Sequence, residues 1–523
     1  MTVGTTPYHS TLRTGRAGFA QLLLAEWTKF RTVRGWAVGT VAAALVMVLV
    51  GLVTEALSHN NGCLGPPGQA CPAVPSGPDG ELVDDQFYFA HQPLQGDGSI
   101  TVRLTSLTGL DTYPADHPNE IVPRVMPWAK AGVIIKETTR QGSHYTAVMV
   151  TGNHGVRMQY DYIHDTAGSP VGLSAASPRW LRLTRSGNTL TGYESADGAH
   201  WTRIGAANLA GLPATVQVGL FVASPSDCQV SPGVAGGFTC RLTQATGTFD
   251  DVSLEGSAPG GVWSHDVVGG HGNQAVDLGG FGFKESGGTF IIAGTGDIAP
   301  VVMNGGGRRI EDTLRGTFAA LIVVIVVASM FMTAEYRRGL IRTTLAASPR
   351  RGRVLAAKAI VIASVTFVAG LAAAAVAVPV GELLLRANGW YIFPLTSLTE
   401  VRVMVGTAAL LAVVAVLALA VGTMFRRSAE AVTALIGMIV VPYVLAFASP
   451  LPVGVSEWLL RITPAAGFAI QQSVPRYTQV SAALLTTMND FYPLEPWAGF
   501  AVLCAYTVLA LGLATILLRR RDA

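Results

Sequence analysis

Residues 316–353 read GTFAALIVVIVVASMFMTAEYRRGLIRTTLAASPRRGR. From Gly316 to Ala334 no side chain is charged, and as a helix the run rises about 28 Å, close to the roughly 30 Å of a bilayer core. The chemistry then reverses, with Arg337, Arg338, Arg342, Arg350, Arg351 and Arg353 crowded into the next stretch. Gly339 breaks a helical turn, and Leu340, Ile341, Thr344 and Leu345 give a short amphipathic helix. Ser348-Pro349 restarts the chain toward another apolar run. A spanning helix followed by a stiff, basic elbow is the unit from which the rest of the chain is read.

Working outward, five further apolar runs have spanning length: 36–57, 359–385, 403–424, 431–449 and 497–518. Arg31 and Arg34 precede the first, Arg426 and Arg427 separate the fourth and fifth spans, and Arg519, Arg520 and Arg521 follow the last. Arginine resists translocation, so if all six runs cross, every basic cluster falls on the cytoplasmic side, with both termini inside. Half the residues are hydrophobic and 13% are charged, which excludes an ordinary soluble domain. The net charge of +3 is sorted by topology rather than pooled on one surface, so no nucleic-acid partner is expected. The run from Trp36 is too long for a signal-peptide core and reads as an uncleaved span.

Between the first two spans the composition turns to Gly, Pro, Thr, Ser and Asp, with alternating apolar residues. Val133 and Ile135, then Tyr145, Ala147 and Met149, then Val156, Met158 and Tyr160 read as half-buried strands, with hairpin turns at Ser186-Gly187-Asn188 and Asp197-Gly198. This region must lie outside if the first span crosses. In an oxidising exterior, bridges between Cys63 and Cys71 and between Cys228 and Cys240 are expected rather than metal ligation, since neither pair has CxxC spacing or partner histidines. The expected fold is thus mixed: six α-helical spans with a large all-β insertion after the first. The segments are 1–35 (tail and interfacial helix), 36–57 (span one), 58–80 (linker), 81–255 (β-sandwich), 256–312 (Gly-rich strands or stalk) and 313–523 (spans two to six). Glu55 and Glu382, near outer span ends, are expected to be solvated.

Trp128-Ala129-Lys130-Ala131-Gly132-Val133, Arg179-Trp180-Leu181-Arg182-Leu183, Tyr193 to Trp201 and Val218-Gly219-Leu220 resemble the concanavalin/laminin-G-like jelly rolls. That resemblance implies a possible glycan or cell-wall polymer as extracellular ligand. Asp84, Asp85, Asp250 and Asp251 do not make a calcium cluster, and no metal is expected.

Before span one, Phe19, Leu23, Trp27 and Phe30 fall on one helical face while Glu26, Lys29, Arg31 and Arg34 take others. A helix here is expected to lie in the membrane interface with its aromatic side toward lipid. Together with Leu24 to Lys29, the Glu335 to Arg351 loop resembles the membrane subunit of ABC-2-type ABC exporters. The resemblance implies that loop 335–358 docks into a separate ATPase subunit, with Glu335, Tyr336, Arg337, Arg338, Gly339, Arg342, Pro349, Arg350 and Arg351 as coupling residues and Glu26, Trp27 and Lys29 on the interfacial helix. It further implies a second permease copy, a re-entrant outer segment over 450–496, a bacterial plasma membrane location, and ATP and Mg bound by the partner rather than this chain. The sequence has no GxxxxGK[ST], HExxH or GxSxG, so no enzymatic activity of its own is expected. A receptor or adhesion protein reading a glycan through the β-domain is the alternative.

Overall fold

The computed structural model describes residues 18–59, 75–114, 116–117, 119–173, 177–231, 237–256, 262–270, 282–302, 307–339, 350–448 and 451–520. Among them, six helical segments are long and apolar enough to cross a membrane: Arg34–Leu57, Ile310–Arg337, Arg351–Ala387, Ser397–Phe425, Ser428–Phe447 and Pro496–Arg520.

Helix α1 (Phe19–Thr32) runs into α2 (Arg34–Leu57), and the extended backbone of Val33 makes the corner between them. A 3-10 turn, Ile310–Leu314, leads into α3 (Gly316–Arg337). Helix α4 (Arg351–Ala387) has 37 residues, about 55 Å of helix, so it must project beyond a bilayer core. Helix α5 (Ser397–Phe425) starts at Thr396, whose hydroxyl accepts from the Thr399 amide. It is the most enclosed span, whereas α2 is the least and exposes Val38, Val41, Leu45, Leu49 and Val53.

The fifth span differs from the single run expected at 431–449. It consists of α6 (Ser428–Leu435), a π turn (Ile436–Val440) and α7 (Val441–Phe447). Pro442 has no amide to return to the preceding turn, and the helix widens just before it. Helix α8 (Val453–Ile462), a buried 3-10 helix (Pro464–Gln471) and α9 (Pro496–Arg520) complete this half.

The insertion is a two-sheet antiparallel sandwich. One sheet has eight strands, ordered 202–208, 189–195, 179–186, 98–112, 243–256, 289–294 and 282–286, with 121–123 pairing the far end of 98–112. The other has seven, ordered 264–268, 87–95, 215–223, 130–136, 145–151, 156–160 and 164–167. Val102, Leu104, Val133, Ile135, Val148, Leu181, Leu183, Phe249 and Ile292 fill the space between them.

The Gly-rich stretch, expected to give strands or a stalk, supplies strands to both sheets, and strand Thr243–Gly256 ends one residue past the expected boundary at 255. One expectation needs correction here. The strand Tyr145–Thr151, expected to be half-buried, is buried on both faces: Val148 and Val150 join Val133 and Ile135 in the inter-sheet core, but Tyr145, Ala147 and Met149 do not. They face the other side of the seven-stranded sheet, among Phe87, Phe89, Ile134 and Phe221. Both faces of that sheet are covered, and a strand buried on both sides gives no period-two signal of which face is inward.

The second face is covered by a ribbon in which Val83–Asp85 pairs with Ile298–Pro300, so the chain enters and leaves the insertion side by side. Beneath the ribbon, Leu82 and Val302 pack with Phe393, Val474, Val480, Leu485 and Phe491, seating the sandwich on the helical half. The 450–496 segment therefore carries this seat as well as its helices.

Candidate functional site

The basic ends of the helices meet at one end of the bundle. There Glu26 of α1, Glu335 at the end of α3, Lys358 in α4 and Lys29 of α1 form a closed ring of alternating charge. Lys358 Nζ donates to Glu26 Oε2 and to Glu335 Oε1, both at 2.7 Å. Lys29 Nζ donates to Glu26 Oε1 at 2.8 Å and to Glu335 Oε1 at 3.2 Å. The side chains of Lys358, Glu26 and Glu335 are 0, 1 and 5% exposed, and only Lys29, at 38%, reaches the surface. Burial opposes the charge of Lys29, but Glu26 and Glu335 outweigh it and raise its pKa. Phe331 lies under the Lys358 ammonium, 4.6 Å from Nζ, and Phe30 and Trp36 meet the Phe331 edge-on.

The ring encloses the base of the arginine-rich loop. Glu335 lies just before it and Lys358 just after it, so both arms are tied to α1. The loop's tip, 340–349, with Arg342 and Pro349, is outside the described residues. Helix α3 stops at Arg337, and Gly339 takes the left-handed conformation (φ +68°) that turns the chain out of the helix. Arg337, Arg338 and Arg350 are exposed. Arg351 donates to the Leu518 carbonyl at 2.6 Å, joining the loop's exit to the end of α9. Arg426, after α5, stands over the Tyr336 ring at 5.4 Å.

The family described as ABC-2 family transporter protein matches residues 167–523. The chain belongs to this family. It is thus a multi-pass membrane permease of the ABC transporter type, a transport subunit whose family implies an ATPase partner. No curated protein matches. Among solved structures, one titled a functionally unknown protein from Saccharomyces cerevisiae is 17% identical, with 33% of this chain and 74% of that chain covered and a TM-score of 0.19. Scytalido-glutamic peptidase with a peptide-based transition state analog is 9% identical, with 42% and 100% covered and a TM-score of 0.23. Neither score supports a fold or functional assignment.

In this ABC-2 permease, α1 departs from its expected orientation. Phe30 is buried and faces α3, not lipid, and Glu26 is buried rather than on a polar outer face, while Trp27 is 43% exposed. The cause is Lys358, which sequence reasoning missed. It is the only charged residue between Arg353 and Glu382, and a lone lysine entering an apolar helix requires a carboxylate from elsewhere. Glu55 is also buried, 1% exposed, against the expectation of solvation. The Asn388 side chain donates to its carbonyl at 2.9 Å, closing α2 against the end of α4.

At the opposite end of the bundle the helices grip the 450–496 segment. Arg402 donates to the carbonyls of Ile470 and Gln472, and Gln471 reaches Thr317 of α3 and Thr407 of α5. The sandwich is latched to the same segment: Gln479 donates to the Tyr162 carbonyl at 2.8 Å and Thr478 to Asp165 at 2.9 Å. Asp161 and Tyr162 form a left-handed turn (φ 43° and 61°) that presents this carbonyl. Behind it, fully buried Lys136 donates to Asp85 at 2.8 Å and to the Tyr162 hydroxyl at 3.1 Å. Burial lowers the Lys136 pKa against the pull of Asp85. Nearby, burial pushes Glu81 up to about 7, against the pull of the backbone at Glu81 and Asp79. A cleft of about 470 Å³ opens at this junction, between Trp128, His154 and Cys228 on the sandwich and Tyr477 and Leu485 below. Cys228 and Cys240 form a disulfide across the hairpin 227–241, and Cys63 and Cys71 lie outside the described residues. No cluster of potential metal ligands occurs among the described residues.

Proposed function

We propose that this chain is the permease of an ATP-driven exporter that works by alternating access with a second permease copy, identical or related. A separate ATPase subunit binds ATP and Mg and acts on loop 335–358. The chain lies in a bacterial plasma membrane with both termini inside and the sandwich outside. The observation that carries this reading is the charge ring: it joins the interfacial helix to both arms of one basic loop, so force applied at the loop reaches α1, α3 and α4 together. Glu335 and Lys29 hold the loop's base, leaving Arg337, Arg338 and Arg350 exposed for a protein partner. An anchor for a receptor would have no use for such a junction, and nothing favours the glycan-receptor alternative.

The test is reconstitution. Tagged chain should co-purify with an ABC ATPase and raise its turnover in liposomes, and Arg338→Ala should lose that stimulation while inserting normally. A cysteine at position 339, in a Cys504→Ser background, should react with an impermeant maleimide only from the inside. Labelling from outside, or the absence of any associated ATPase, refutes the reading.

A further inference from the structure

One strand of the sandwich contains its own control. In Arg179–Ser186 the inward-facing residues are Arg179, Leu181, Leu183 and Arg185, with the two leucines in the inter-sheet core and an arginine at each end. Arg185 is fully employed: it donates to the carbonyls of Gly187, Pro213 and Ala214. Arg179 is as deeply placed, only 8% exposed, yet its Nε has no partner and no ion pair reaches its guanidinium among the described residues. A buried guanidinium without a counter-charge is costly, and it is the side chain best shaped to grip a carboxylate or phosphate through two parallel hydrogen bonds.

Arg179 lines a cavity of about 490 Å³ at the open end of the sandwich, between Ala167-Gly168-Ser169 of one sheet and strands 189–195 and 202–208 of the other. That volume suits a small ligand. Glu194, 6% exposed, lies in the same cavity, where its Oε1 accepts from the Ser169 amide at 2.6 Å. Asp197 is held by His200, 2.7 Å away, and by the amides of Ala199 and His200. The lining carries Arg179 and Arg203 together with Glu194 and Asp197; both carboxylates are already engaged, Glu194 by the Ser169 amide and Asp197 by His200 and two amides, whereas the Arg179 Nε is not. The lining has no aromatic platform other than the His200 ring and is rich in hydroxyls, from Ser169, Ser195 and Thr202. The undescribed residues nearest in sequence, 174–176, are Ser-Ala-Ala and bring no acid.

We propose that this cavity is a binding site for an oxyanion, carboxylate or phosphate, carried on a small hydroxyl-bearing ligand, with Arg179 as the anchoring cation and Arg203 as the second. The site is separate from the charge ring and does not depend on the direction of transport. Isothermal titration of the full chain in detergent, with D-glucuronate and glycerol 3-phosphate as probes and glucose and glycerol as their neutral counterparts, tests it. At least one acidic probe binds where its neutral counterpart does not, and which of the two binds separates carboxylate from phosphate. Arg179→Gln weakens binding about tenfold or more. Arg203→Gln, at an exposed position that folding does not need, weakens it severalfold. Glu194→Gln keeps the Ser169 hydrogen bond, removes the like charge and tightens binding severalfold. Absence of binding by both acidic probes, equal binding of acidic and neutral probes, or affinity unchanged in both arginine variants overturns the proposal.

Discussion

Lys358→Ala is the most exacting perturbation of the charge ring. The lysine makes two of the four contacts, and its removal leaves two nearly inaccessible carboxylates facing one another with only the half-exposed Lys29 between them. Breaking a buried pair from one side costs about 3 to 5 kcal/mol, whereas loss of a partly solvated lysine costs about 1 kcal/mol or less. If the penalty falls on the docking of α1, even about 3 kcal/mol means roughly a hundredfold more frequent opening of that helix. Hydrogen–deuterium exchange of amides 19–32 in nanodiscs reads this directly: Lys358→Ala should raise exchange about a hundredfold, and Lys29→Ala no more than about fivefold. The double substitution Glu335→Gln/Lys358→Met removes one charge of each sign and leaves the Glu26–Lys29 pair. It should recover protection to within about 1 to 2 kcal/mol, because replacing a buried ion pair by uncharged groups of similar volume is often neutral. Equal exchange in the two single variants, or no recovery in the double, refutes the assignment of the ring as the element that holds α1.

Three further outcomes follow from the half of the molecule that carries the sandwich. Glu81 is protonated in the folded protein up to about pH 7 but ionises near 4.5 when unfolded, so its contribution is complete below 4.5 and is lost as pH rises through 7. Urea titrations of the detergent-solubilised chain should lose roughly 2 to 3 kcal/mol across that window, and Glu81→Gln should flatten the dependence. Gln479→Ala removes a buried hydrogen bond between the 450–496 segment and the sandwich; the expected loss is about 1 kcal/mol, seen as faster proteolysis at the 475–485 segment, and unchanged cleavage would count against the latch. Replacing Cys228 and Cys240 by serine opens a 12-residue separation and should cost about 2 to 3 kcal/mol, with exchange rising only in the hairpin 227–241 if the bridge is a local clamp.

What the sequence made legible was what depends on composition over long windows. Six spans, their alternating basic ends and a β-rich insertion all follow from runs of one character, and the family assignment follows from the loop after α3. What stayed hidden depends on single residues whose partners are remote in sequence. The chain has five lysines among its 36 basic residues, at 29, 130, 136, 284 and 358. Three of them, Lys130, Lys136 and Lys358, are wholly buried, and each bonds a carboxylate: Asp297, Asp85, and Glu26 with Glu335. Most of the few lysines are thus spent on internal ion pairs, although arginines make such pairs too, as Arg157 does with Asp165. Glu26 was misplaced because helical periodicity sorts residues by their own helix, while Lys358 sits 332 positions away. Strand 145–151 was read as half-buried for a related reason: a second layer covers the sheet, and that layer comes from the ends of the insertion rather than from its neighbours.

Helices α3 and α4 both reach from the charge ring to the end of the bundle on which the sandwich is seated. One end of α3 holds Glu335 in the ring, and the other follows the 3-10 turn that the sandwich's exit strand feeds. There Arg309, fully buried, donates to the carbonyls of Val302 and Asp490, joining the exit from the insertion to the 450–496 segment. Glu311 accepts from the Ser473 amide at 3.0 Å, and Asp312 accepts from the Arg309 amide at 2.9 Å. Gly316 packs against the backbone of Met47, with no room for a side chain between them. The start of α3 is thus fixed to α2, to the 450–496 segment and to the sandwich by bonds that a shift of the helix along its axis would have to break together. The sandwich is therefore seated at the end of α3 that is most heavily bonded to its surroundings, and the charge ring at the other.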